Sequence, residues 1–287
     1  MADNLSRTSE SFFALPDHAV IALQGPEAAA FAQAQFANEV MSLPSGHWQW
    51  NAWLTPKGRV IAWFALLKHS EDEILLVLPD MPAESFVAEL SRFVLRRKLK
   101  LRACAELRVS GSLHAPTLAR GAGIDRRDGM LELDWGHPAS PRCLRIDSEG
   151  SPDDPAALAE WRSRDLRHGL PRLADTQREQ WTPQQLSLER LPAFSVKKGC
   201  YPGQEIVART HFLGKAKRGL ALFSADATIT TGEEVLQGER TVGRIVSATS
   251  IPPWRALAVM PTDGVEGEVA AGGIPLHSQP LLDAPRR

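Results

Sequence analysis

The spacing of apolar and polar positions divides the chain into helical and strand-like stretches. Residues 26–41 read as a helix: Pro26 suits a first turn, Glu27 complements the dipole there, and Phe31, Ala34 and Gln35 follow at helical spacing. Two apolar, β-rich runs come next, 47–54 and 59–68, on either side of Thr55-Pro56-Lys57-Gly58. Proline second and glycine fourth in that tetrad fit a type I turn, so the pattern predicts a hairpin. Residues 73–78 read as a third, well-buried strand. In 82–98, Phe86, Leu90, Phe93 and Val94 form a helical stripe, with Arg92, Arg96, Arg97 and Lys98 crowding the last turns. Leu99, Leu101 and Ala103 then alternate with Lys100 and Arg102, the period of a half-buried strand.

Residues 111–154 are rich in Gly, Pro and Asp and read as a connecting region with one strand at 129–135. A helix over 155–168 opens at Pro155, buries Leu158, Trp161 and Leu166, and stops at Gly169. Thr182-Pro183 begins a short helix carrying Leu186 and Leu188. From about Lys217 the character changes. Short strand-like runs at 219–223, 234–236, 242–248, 256–260 and 266–270, separated by Gly, Pro and Asp, predict a small antiparallel barrel. The expected fold is α+β, with an α+β region over 1–215 in two subdomains and a barrel domain over 216–287.

Composition narrows the class. With 43% hydrophobic and 23% charged residues, a 287-residue chain buries a large core without disulfides or metals. The longest apolar run, Val60 to Leu67, is far short of the roughly 20 residues a membrane helix needs. Met1 to Arg7 carries no secretory pattern, and Cys104, Cys143 and Cys200 lie far apart with no zinc or cluster spacing. A reducing cytoplasm is the simplest expectation. The net charge of −1 supplies no whole-molecule attraction for nucleic acid or membrane.

Local charge differs. In 195–218, Lys197, Lys198, Arg209, Lys215, Lys217 and Arg218 face Glu205 alone, a net +5. Gly199 and Gly203 bracket Cys200-Tyr201-Pro202 and lead into a helical run from Gln204, whose start would present unpaired N–H groups to an anion. A Gly-rich turn with a solvated basic face accounts for the spacing equally well.

The string Lys197-Lys198-Gly199-Cys200-Tyr201-Pro202-Gly203-Gln204-Glu205, followed by Ile206 to Thr210 and Gly214 to Arg218, resembles the signature of the YgfZ-type folate-binding proteins. These are relatives of the glycine-cleavage aminomethyltransferase, the T-protein. Thr182 to Glu189, Arg164 to Pro171, Leu23-Gln24-Gly25, Phe31 to Gln35, Leu54 to Val60 and Val242 to Val246 match as well. The resemblance implies two mixed α/β portions and a C-terminal barrel around a central, folate-sized opening. It also implies tetrahydrofolate binding and support of iron–sulfur enzymes or their assembly factors, including enzymes of tRNA thiolation.

By that resemblance Glu205 accepts the donor edge of the pterin. Lys198, Gly199, Tyr201, Gly203, Gln204, Arg209, Arg218 and Ser187 join it as cofactor-binding residues, Lys198 and Arg218 holding the anionic tail. Cys200, beside Lys197 and Lys198, is expected as a reactive thiol or, in the blander alternative, as a small packing residue.

Two positions depart from the relatives. Aminomethyltransferases carry an acidic pair after the hairpin turn, where this chain has Ala62 and Trp63, and neither handles a proton. Ser187 stands where the relatives usually have Asn, which loses a donor. A non-catalytic or weakly catalytic folate-binding role is therefore expected, with a folate-dependent one-carbon transferase as the alternative and a tRNA-binding module as a weaker one. Trp48 and Trp50 share a strand face, as core or as a stacking platform. His211 lies in the basic loop. Arg92, Arg96, Arg97, Lys98, Lys100 and Arg102 form a second basic cluster that would suit phosphates or a polyglutamate tail.

Overall fold

In the computed structural model, which describes residues 11–214 and 216–287, the elements run in chain order as follows. β1 (Phe13–Ala14) and β2 (Ala19–Gln24) precede α1 (Ala28–Gln35). The predicted hairpin forms as β3 (His47–Leu54) and β4 (Val60–Lys68), followed by β5 (Glu73–Leu78), α2 (Ala83–Ser91) and β6 (Lys100–Ala103). Then come β7 (Arg108–Ser112), β8 (Ile124–Arg127), β9 (Met130–Asp134), β10 (Cys143–Asp147), α3 (Pro155–Arg167) and α4 (Gln204–Phe212). The chain closes with β11 (Arg218–Ser224), β12 (Glu234–Gln237), β13 (Arg240–Ala248), β14 (Arg255–Pro261), β15 (Val269–Ala271) and β16 (Ile274–Gln279).

These strands build two antiparallel five-stranded sheets, ordered β3-β4-β5-β2-β6 and β1-β7-β10-β9-β8, and a closed barrel β11-β14-β13-β12-β15-β16. The first sheet is covered on both faces, which is why β4 is buried along its whole length. On one face Ile21, Trp53, Ala62, Phe64 and Leu76 pack on Phe31, Phe36, Phe86 and Leu90 of the helical layer. On the other, Val20, Trp48, Trp50, Trp63 and Ala65 join Leu133, Trp135, Leu144 and Trp161 in the central core.

Several elements differ from the sequence expectation, each for a local reason. α1 stops at Gln35 because Phe36 turns extended, bridges to Trp53 and packs its ring 4.9 Å from Phe64. α2 stops at Ser91, so Phe93, 45% exposed, is not part of a buried stripe. Residues 92–97 turn through Leu95 at φ +51°, and Glu27 draws Lys98 N–H (2.5 Å) and Arg97 (3.6 Å) back toward β6.

Residues 111–154 hold most of the second sheet; strands as short and charged as Ile124–Arg127 leave little periodicity to read. Thr182-Pro183 opens turns, not an α-helix, ending in a 3-10 turn at Leu188–Arg190 behind Ser187 at φ +49°. The barrel has a sixth strand, β16, whose Pro275 and polar run through Gln279 concealed it. α3 forms as expected, capped by Asp154, whose carboxylate accepts from Ala156 and Ala157 N–H.

Candidate functional site

The hairpin turn and the start of α4 interlock. Gly58 N–H donates to Thr55 O (2.9 Å) with φ at +69°, closing the turn the tetrad predicts. Gly203 enters α4 at φ +81°, and a Cβ there would lie 2.6 Å from Thr55 O and 2.7 Å from Gly58 Cα. A Cβ on Gly58 would in turn lie 2.9 Å from Ile206 Cβ. Both positions need glycine for conformation and for room.

Behind this junction the motif is spent on its own scaffold. Lys198 is buried, and its ammonium donates to Gln33 O (2.6 Å), Phe36 O (2.7 Å) and Asn38 O (3.0 Å), the carbonyls at and beyond the end of α1. Burial pushes its pKa down to about 8, against the pull of Glu39. Tyr201 lies with its ring 5.2 Å from that ammonium, donates its hydroxyl to Ser195 O (3.1 Å), and is pushed up to about 12 by burial. Gln204 Nε2 donates to Lys198 O (2.9 Å).

The expectation that Lys198 holds an anionic tail is corrected: its three protons already have acceptors. Tyr201 and Gln204 are likewise committed inside the loop, whereas a Cβ on Gly199 would meet nothing within 4 Å. Ser187 is also a link rather than a ligand contact; it is buried, and its Oγ accepts Leu220 N–H (2.9 Å), tying the 182–191 segment to β11.

What remains outward is chemically distinct. Cys200 is exposed, unlike the buried Cys104 and Cys143, so the packing alternative for it is set aside. Lys197, Glu205 and Arg209 are exposed beside it in sequence. Glu205 sits in the first turn of α4, where the dipole favours a carboxylate, and has no ion-pair partner among the described residues. Arg209 follows four residues on, on the same helix face. Arg218, exposed at the start of β11, donates one N–H to Val242 O (2.9 Å). His211 is exposed in the last turn of α4, and Lys215 lies outside the described residues.

The centre is filled. Trp48, Trp50 and Trp63 are core residues, not a free platform: Trp48 stacks on Trp135 at 5.4 Å, Trp50 lies 5.2 Å from Trp63, and Trp63 Nε1 donates to Pro171 O (2.9 Å). Beside Ala62 and Trp63 the space between Leu78, Met81 and Leu173 is about 10 Å³, room for no more than a water. That space, which Asp80 and Arg178 also line, is too small for a bicyclic ring.

Sequence reasoning also missed a buried ionic hub. Arg172 reaches Asp80 (2.6 Å), Asp17 (2.7 Å) and Asp165 (3.5 Å), while Arg162 adds to Asp17 and Arg142 to Asp165. Its members come from four separate segments, so no local spacing announces it. Among the described residues no cluster of His, Cys, Asp and Glu is suited to a metal ion, and no helix is long and apolar enough to cross a membrane.

Two mixed layers and a closed barrel define an aminomethyltransferase-like, T-protein-like fold. The crystal structure of the glycine cleavage system aminomethyltransferase T from Bartonella henselae matches 95% of this chain and 86% of its own length, with a TM-score of 0.74 and 18% identity. In sequence the chain is similar to YgfZ proteins, the resemblance its motif indicated. It is 26% identical to the tRNA-modifying protein YgfZ of Cronobacter sakazakii, over 96% of this chain and 94% of that protein. The YgfZ of Colwellia psychrerythraea is 27% identical, over 72% and 69%. No protein-family model matches the chain.

Proposed function

We propose that the protein is a tetrahydrofolate-binding accessory factor supporting the assembly or repair of iron–sulfur enzymes, tRNA-thiolating enzymes among them. The observation that carries this reading is the division of labour in the Cys200 loop. Lys198, Tyr201, Gly203 and Gln204 hold the backbone rigid, and Cys200, Glu205 and Arg209 are left outward. The donor groups fit a folate at the loop. A free carboxylate at Glu205 accepts the two-donor edge of a pterin, and Arg209 and Arg218 supply charge for the glutamyl carboxylates.

Cys200 contributes one thiol. A cluster takes four ligands, so any iron–sulfur chemistry there is shared with a client protein. One-carbon transfer is the poorer reading, because Ala62 and Trp63 are buried and the carboxylate that lines the small space beside them, Asp80, is held by Arg172 (2.6 Å) and Leu173 N–H (2.9 Å).

Calorimetric titration with tetrahydrofolate, wild type beside Glu205→Ala, tests the pterin contact. Loss of a charged hydrogen bond should weaken binding by about 1.5–3 kcal/mol; equal affinities would remove Glu205 from the site. Cys200→Ser should bind folate normally yet fail to restore iron–sulfur enzyme activity in a strain lacking the protein. Full rescue by the serine variant would overturn the thiol role.

A further inference from the structure

Between α2 and β6 the chain presents apolar side chains to water. Leu95 holds φ at +51°, a conformation unfavourable for leucine, and is 87% exposed. Phe93 is 45% exposed and borders an open groove with Arg92 and Arg178. A second groove, of about 530 Å³, is lined by Glu27, Val94, Leu95, Arg96 and Arg97. A leucine held in a left-handed conformation with almost no burial contributes nothing to this fold, and strain of that kind gathers where a surface has work to do.

The charge around the turn is of one sign. Arg92, Arg96, Lys98 and Lys100 are exposed, and none has an ion-pair partner among the described residues. The carboxylates of this region are already taken. Glu27 accepts Lys98 N–H (2.5 Å) and lies 3.6 Å from Arg97, Glu106 pairs with Arg102 (2.5 Å), and Glu89 pairs with Arg178 (2.9 Å).

β6 is the last strand of its sheet. Cys104 N–H donates to Val20 O (2.9 Å), and Arg102 and Lys100 lie opposite Ala22 and Gln24 of β2. By alternation the backbone groups of Leu101 and Ala103 point the other way, to an edge where no strand lies among the described residues. Lysine and arginine on such an edge guard against indiscriminate pairing, and here they also set the charge of any strand that is admitted.

We propose that residues 92–103 are a docking surface for an extended, acidic segment of a partner protein. The segment adds to β6 as a further strand, sets its carboxylates against Arg96, Lys98 and Lys100, and covers Leu95 with an apolar side chain. Three features select this occupant. A phosphate backbone would use the cations but gain nothing from Leu95. A lipid surface would take Leu95 and the cations but leave the edge groups of Leu101 and Ala103 without partners. An acidic peptide answers the edge with its main chain, the cations with its carboxylates and Leu95 with an apolar residue. The surface does not depend on the folate reading.

The test uses the full chain and a fluorescein-labelled synthetic peptide alternating glutamate with valine and leucine, followed by fluorescence anisotropy. Leu95→Asn removes the apolar contact and relaxes the backbone, because asparagine tolerates positive φ. It should weaken peptide binding roughly tenfold while raising the urea midpoint; a lowered midpoint would make Leu95 a structural residue and overturn the proposal. Arg96→Glu combined with Lys100→Glu should weaken binding by more than about tenfold. Methylating alternate peptide nitrogens should block binding in one register and be tolerated in the other, and an equal effect of both overturns strand addition. So does a wild type that binds no peptide, or one that binds oligoglutamate equally well, which would leave plain charge attraction. Single-stranded RNA or phosphatidylglycerol vesicles bound in place of the peptide, indifferent to Leu95→Asn, would make this a phosphate surface and overturn the proposal. Tetrahydrofolate titration should be the same for wild type and Leu95→Asn, so failure of the peptide arm leaves the folate reading standing. Loss of tetrahydrofolate binding in Leu95→Asn would merge this surface with the folate site and overturn its independence.

Discussion

Replacing Lys198 by Met removes one ammonium and the donors of three carbonyls while keeping much of the aliphatic stem. Three charge-assisted hydrogen bonds at about 1.5–3 kcal/mol each set a gross stabilisation of roughly 5–9 kcal/mol. Burial works against it: a shift from 10.5 to about 8 corresponds to about 3 kcal/mol at about 1.36 kcal/mol per unit. The net expectation at pH 7 is a loss of roughly 2–6 kcal/mol in Lys198→Met. The pH dependence carries a definite sign. Between pH 8 and 10.5 the unfolded chain keeps a proton at Lys198 that the folded chain has released, so wild-type stability rises with pH through that window. Lys198→Met lacks this linkage, and the gap between the two proteins should widen by up to about 3 kcal/mol. Urea unfolding at pH 7, 8, 9 and 10, followed by tryptophan fluorescence, measures it. A gap that narrows as pH rises would mean that the carbonyls outweigh burial and that the ammonium is the favoured form in the fold.

Further expectations concern the junction and the hub. Gly203→Ala should destabilise by about 2–4 kcal/mol, from the positive φ and the approach to Thr55 O and Gly58, and should weaken tetrahydrofolate binding with it; thermal unfolding and titration read both effects. Arg172→Met leaves Asp17, Asp80 and Asp165 short of a partner and should lose about 3–5 kcal/mol in urea unfolding. Burial alone would raise the Asp17 carboxyl, but His18, Arg172 and Arg162 hold it well below the usual carboxylate range. Its stabilisation is therefore present above about pH 4 and lost as the pH falls below that. An acid titration of unfolding should show Arg172→Met less sensitive than wild type over that range.

Much of this architecture was legible where one short segment carries its own instructions. Thr55-Pro56-Lys57-Gly58 announces its turn, Pro155 and Gly169 bound α3, and the breaks between the β11–β14 runs mark a barrel. The second sheet was hidden because its strands are two to five residues long and β8 and β9 are only partly buried, so neither periodicity nor burial builds up along them. The loop around Cys200 was legible as a unit, but not the assignment of its members. A lysine beside a glycine-rich turn looks like an anion ligand until the carbonyls of Gln33, Phe36 and Asn38, some 160 residues away in sequence, arrive beneath it. Trp48 and Trp50 gave the same ambiguity. Their alternation placed them on one face, and only the arrival of Trp135 and Pro285 decided what that face meets.

The mutual approach of Gly58 and Gly203 means that the Cys200 loop has no independent existence as a module. A transplant of residues 195–212 into another scaffold would leave behind the Thr55 carbonyl and the glycine surface that seat α4, and with them the direction in which Cys200 points. An insertion in the hairpin turn, normally the most permissive kind of site, would here act at a distance of some 150 residues along the chain. Engineering of the loop and engineering of the hairpin are one problem, and variants of either should be selected with the other held in view.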